Sequence, residues 1–148
     1  MTRSSRQAGY SLLELLIVTV VLASIVSIAL ASIWNCLDRA KQRATMADMR
    51  TVARAIEVYS SEFGYLPLAP GGIADLKRVL VPYQSSVLPT RDHWGHDLAY
   101  RFDRAAGSYT LESFGKDGVD GADISVASKL QFDADIVFSN GQFSASPE

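Results

Sequence analysis

Five aspartates, Asp117, Asp120, Asp123, Asp133 and Asp135, lie within the stretch "GKDGVDGADISVASKLQFDADI". Carboxylates are hard oxygen donors, and glycines let backbone carbonyls close on an ion, which is the ligand chemistry of calcium. The spacing is not that of an EF-hand, which needs acids two apart and a glutamate at the twelfth position. Composition by itself describes a solvated acidic loop more readily than a site. A second polar group, "DHWGHD", holds His93 and His96 with Asp92 and Asp97 around Trp94-Gly95. These are zinc donors, but a turn gives them no helical face on which to converge. The spacing favours a structural turn with Trp94 packed against a sheet. The third group is a single residue. Glu14 is the one formally charged side chain between Gln7 and Asp38, and a carboxylate at the centre of a bilayer costs about 2.5–3.5 kcal/mol on insertion scales. It either sits near the headgroups without a partner or has a cation to meet. No nucleophile motif or P-loop accompanies these groups, and both histidines fall in one turn, so no catalytic constellation is expected.

The elements that carry these residues are legible from periodicity. Leu15 to Leu37 is an uncharged run of 23 residues, about 34 Å as a helix against a hydrocarbon core of about 30 Å. That predicts a membrane span. No Gly or Pro occurs between Tyr10 and Gly64, so the helix is expected to continue to about Phe63. Its second half is amphipathic, with Leu37, Ala40, Ala44, Met49, Val52, Ile56, Tyr59 and Phe63 as the inward stripe. "FGYLPLAPGG" breaks the helix, and "IADLKRVLVP" predicts a short one with Ile73, Leu76, Val79 and Leu80 inward, stopped at Pro82. "LAYRFD" and "YTLESF" alternate on either side of "RAAGS", a hairpin signal, and "ADIVFS" reads as a third strand. The fold class is therefore α+β, a long N-terminal helix packed on a small antiparallel sheet.

Charge and cysteine content narrow the partners. The 148-residue chain has a net charge of −2 and a single cysteine, Cys36. There is no basic stripe interleaved with aromatics, so nucleic acid is not an expected partner, and no intrachain disulfide is possible. Charge is unevenly placed: from Glu112 to the end, seven acids face two bases, Lys116 and Lys129. Arg39, Lys41, Arg43, Arg50 and Arg54 follow the span, whereas only Arg3 and Arg6 precede it. A positive-inside count alone would put the C-terminal side in the cytoplasm.

The N-terminus argues for the opposite orientation. The leader "MTRSSRQAG" ends in glycine before the apolar run, and "G|YSLLELLIV" resembles the peptidase site of type IV prepilins and pseudopilins. Tyr10 departs from the phenylalanine usual there. The resemblance implies that a prepilin peptidase removes residues 1–9 after Gly9 on the cytoplasmic face, and that the new Tyr10 amine is methylated. It also implies that Glu14, fifth in the mature chain, pairs with that amine on a neighbouring subunit. Residues 10–37 then form the membrane and filament-core half of the helix, 38–63 its amphipathic half, and 64–148 a globular head.

Further motifs resemble one branch, the major pseudopilin of type II secretion. "YSSEFGYLPLAPGGIADLKRVL" is similar to that family's helix end and following loop. "LPTRDHWGHDLAYRF" is similar to its "DPWGxPYxY" and keeps Asp92, Trp94, Gly95 and Tyr100. "ESFGKDGVDG" is similar to its "SxGxDGxxGG" loop at Ser113, Gly115, Asp117, Gly118 and Gly121. His93 and Asp97 replace prolines, and "ADISVASKLQFDADI" is lengthened. The resemblance implies a type IV pilin-like fold and a structural calcium held by Asp117, the best placed, with Asp120, Asp123 and Asp133. It implies a single-pass protein of the bacterial inner membrane, its head in the periplasm. That protein would polymerise with itself into a helical filament, alongside minor pseudopilins and an inner-membrane assembly platform. Two other readings stand beside it: a type IV pilin of a surface pilus, and a membrane-anchored periplasmic binding module.

Overall fold

The computed structural model describes residues 10–83, 87–121 and 131–146, so Gly9 and Asp123 lie outside it. Helix α1, Leu12–Phe63, ends where the sequence places its end, and Gly64 follows with φ 77. Contacts divide the chain into two compact units between Cys36 and Leu37. In the first unit α1 is long and apolar enough to cross a membrane. Its large apolar side chains from Leu12 to Trp34 are exposed. A helix apolar all round must be covered by lipid or by other helices.

The second unit is the head. Helix α2, Ile73–Leu80, buries Ile73, Leu76 and Leu80, and a 3-10 turn, Val81–Tyr83, carries Pro82 beyond its end. Four antiparallel strands follow in the order β1-β2-β3-β4: Ala99–Asp103, Ser108–Ser113, Ile136–Ser139 and Gln142–Ala145. Three were expected. The fourth follows the two-residue turn Asn140-Gly141, whose φ values of 47 and 89 are both positive and suit the right-handed twist of a tight hairpin. Met49, Val52 and Ile56 of α1 meet Leu76, Leu80, Leu98, Leu111 and Ile136 in one core.

Where α1 enters the head, its inward face differs from the expected apolar stripe. Asp38, Gln42 and Thr45 are buried there, while Leu37 and Ala40 are exposed. The reason is the surface they meet, the polar turn that carries Trp94 and the loop lysine Lys116.

Candidate functional site

Asp92 organises the polar turn. Its Oδ1 accepts the backbone N–H groups of Trp94, Gly95 and His96 at 3.0, 2.8 and 2.8 Å, and its Oδ2 accepts the Ser113 hydroxyl at 2.9 Å. A buried carboxylate with four donors is satisfied without a counter-cation. The two imidazoles turn to different partners. His93 Nε2 lies 3.0 Å from Asp48 Oδ2 on α1, while His96 Nδ1 donates to the Gly115 carbonyl at 3.0 Å. A Cβ at Gly118, whose φ is +68, would sit 2.7 Å from the His96 ring, so only glycine brings the loop this close.

Trp94 belongs to the margin of the core, and its polar edge faces α1 rather than the sheet. Its Nε1 donates to Asp38 Oδ1 at 3.4 Å, and Lys116 Nζ donates to Asp38 Oδ2 at 2.8 Å. The Lys116 ammonium holds the Asp38 carboxyl below its ordinary range. Stability from this pair is therefore present at neutral pH and lost as pH falls through the depressed value. Trp94→Phe keeps an aromatic ring but removes the indole donor and part of the packed ring system. It should cost about 1–2 kcal/mol, read as a melting midpoint lowered by several degrees.

Beside this clamp three carboxylates converge. Ligand oxygens of Glu112, Asp120 and Asp135 all lie within 4.8 Å of one another. Glu112 and Asp135 are buried, and Asp120 is exposed. Burial, the largest influence, pushes both buried carboxyls above their ordinary range, and the neighbouring acids add to it. Arg101 on β1 compensates in part, with Nη1 2.8 Å from Glu112 Oε2 and Nη2 3.3 Å from Asp120 Oδ2. The contact to Glu112 is an ion pair without hydrogen-bond alignment, so Oε2 has a nearby charge but no donor. Asp135 Oδ2 accepts the Gly121 N–H at 2.9 Å, while the buried Oδ1 has no donor among the described residues. Three carboxyls share one guanidinium, so in their ionised form they lack positive charge.

Of the donors expected from sequence, Asp120 and Asp135 are brought together. Asp117 and Asp133 are exposed and stand outside the trio, with Asp117 Oδ1 accepting the Val119 N–H at 3.1 Å. Asp117 is still near enough for its charge to raise Asp135. Glu112 was not foreseen. It lies inside an alternating strand and reads as solvent-facing, and its surroundings come from distant segments on both sides of it in the chain, β1 before it and β3 after it.

Comparison with known proteins is consistent along the chain. Residues 32–129 match the family described as type II secretion system (T2SS), protein G, and residues 4–33 match the prokaryotic N-terminal methylation motif. A type II secretion system core protein G of Xanthomonas campestris pv. campestris is 33% identical over 119 residues, covering 76% of this chain and 80% of the relative. The protein of the same description from Klebsiella michiganensis is 25% identical over 130 residues, with 82% and 92% covered. That from Pseudomonas aeruginosa is 26% identical over 126 residues, with 78% and 88% covered. No solved structure gives a significant match.

Proposed function

The chain belongs to the type II secretion system protein G family, and from that premise we propose that it works by assembly, as a structural subunit of the periplasmic pseudopilus that drives protein secretion. Two matches on one chain carry this reading, the secretion family over residues 32–129 and the methylation motif over residues 4–33. The apolar half of α1 anchors the monomer in the bacterial inner membrane with the head in the periplasm. Prepilin peptidase cuts after Gly9, and the Tyr10 amine becomes methylated. Glu14, in the first turn of α1, then meets the Tyr10 amine of a neighbouring copy. The exposed leucines, isoleucines and valines exchange lipid for one another in the filament core, while minor pseudopilins and the inner-membrane platform take part in assembly.

Protein extracted from membranes should begin at Tyr10 and weigh one methyl group more than the bare cleaved chain. Intact mass and N-terminal sequencing read both. Retention of residues 1–9 beside an active prepilin peptidase would refute the processing step.

The acidic group is assigned to a structural calcium ion. All donors are oxygen, as a hard cation requires, and bonds of about 2.3–2.6 Å bridge oxygens as far apart as these. Glu112, Asp120 and Asp135 would hold the ion, with Asp117 as a further donor at the rim. When bound it would supply the positive charge that these carboxylates lack. The chain's own part is to bury Asp135 with one oxygen left open and to tie the same loop, through Lys116, to Asp38 on α1.

A further inference from the structure

Four arginines on α1 form a stripe along one side of the helix. Arg39, Arg43, Arg50 and Arg54 are all exposed. At 100° per residue they fall within about 60° of the helix circumference and climb about 22 Å along it. Among the described residues none of the four has a carboxylate at ion-pair distance. Arg50 lies over the Phe143 ring at 4.9 Å, and Arg50 and Arg54 line a recess of about 600 Å³ with Glu57, Gln142 and Phe143. The stripe is thus a surface with shape as well as charge. It also sets the positive charge on the side of the span where insertion rules disfavour it, so a role after insertion must justify it.

Glu57 continues the same side of the helix beyond Arg54 and shares its recess, whereas the acids of the loop lie on the far side. Lys116 donates its backbone N–H to the Phe132 carbonyl at 2.8 Å, so the segments carrying Asp117 and Asp133 run side by side. Both side chains are exposed. The loop is fixed through Lys116 to Asp38, which shares the buried face of α1 with Thr45, Met49 and Ile56, about 140° round the helix from the stripe. A chain cannot fold its own acidic loop onto its own stripe. A second copy can offer one to the other.

We infer that the arginine stripe docks the acidic loop of a second copy of this chain through Asp133. This rests on the assembly reading above. The contact is heterologous, joining two different surfaces, and such contacts propagate into open helical filaments rather than closing as dimers. The loop lies level with Asp38 at the base of the stripe, so a neighbour displaced along the axis by up to about 22 Å still faces an arginine. Anionic lipid headgroups are the weaker occupant, because a membrane's surface field fades within about 8–10 Å and the stripe climbs well beyond that.

The test uses full-length chains expressed with prepilin peptidase and the assembly machinery. Arg43→Glu with Arg54→Glu should leave membrane insertion and cleavage unchanged and cut recovered homopolymer roughly tenfold, as like charges replace attractive pairs. In a Cys36→Ser background, chains carrying Arg43→Cys or Asp133→Cys should be joined as dimers by a short bismaleimide, which spans the length of the lost ion pair, when co-expressed, and roughly tenfold less often when either is alone. If the reversal variant misfolds, the cross-link decides, since it leaves three of the four arginines in place. Wild-type homopolymer from the reversal variant, or cross-links no more frequent in the mixture, would overturn the inference. So would loss of membrane binding instead of assembly, which would assign the stripe to lipid. Failure of the unsubstituted chain to form homopolymer would refute the assembly reading itself.

Discussion

Glu14→Ala is expected to accumulate in the membrane as a cleaved monomer and to lose assembly almost completely. Removing the acid makes insertion cheaper, because the lone carboxylate is the costly residue of the span. The proposed peptidase site lies upstream, so cleavage after Gly9 should proceed. What disappears, on the proposed pairing, is the partner of a neighbour's Tyr10 ammonium in a packed apolar bundle. Stripping one partner from a buried ion pair costs about 3–5 kcal/mol, because the remaining charge has no compensation. That is a hundredfold or more in the constant for adding each subunit. Glu14→Gln, which keeps shape and polarity, should fail nearly as badly, whereas Glu14→Asp should keep part of the activity. Homopolymer yield and secretion of folded protein at wild-type levels in Glu14→Ala would mean that the residue merely sits at the headgroups.

Much of the fold was readable because it follows from local patterns. The helix end at Phe63 follows from the lack of Gly and Pro up to Gly64, and the first hairpin from alternation on both sides of "RAAGS". Strand β4 was missed although Asn140-Gly141 announces a tight hairpin, because "QFSA" is short and its apolar side is just Phe143 and the small Ala145. The buried base of α1 escaped for a different reason. Periodicity finds apolar faces, and Asp38, Gln42 and Thr45 make a polar one whose partners, Trp94 and Lys116, lie 56 and 78 residues from Asp38. The carboxylate group shows the same limit. Asp120 and Asp135 are visible as part of an acidic stretch, but only the fold brings Glu112 of β2 to them.

That limit decides how the metal proposal is best tested. Calcium should raise the melting midpoint of the detergent-solubilised full chain by several degrees, and a chelator should reverse the shift. An ion binding only the folded state adds about 2.7 kcal/mol at a hundredfold excess over its dissociation constant, a large increment for a head of this size. Magnesium should substitute poorly, since it demands shorter bonds and a stricter octahedron. Asp135→Asn should abolish the increment, because Asp135 is the buried member with an oxygen lacking a donor. Asp117→Ala tests the donor implied by the resemblance and should weaken it. Acid supplies an independent check. Burial raises the Glu112 and Asp135 carboxyls in the folded chain, so without calcium their protonation favours the fold as pH falls through those raised values. With calcium the same protons compete with the ion. The two melting curves should therefore converge on acidification, from opposite directions as far as these groups are concerned. A midpoint indifferent to chelator at neutral pH would leave Glu112 and Asp135 as buried acids held by Arg101 and Gly121 alone, and the calcium assignment would be wrong.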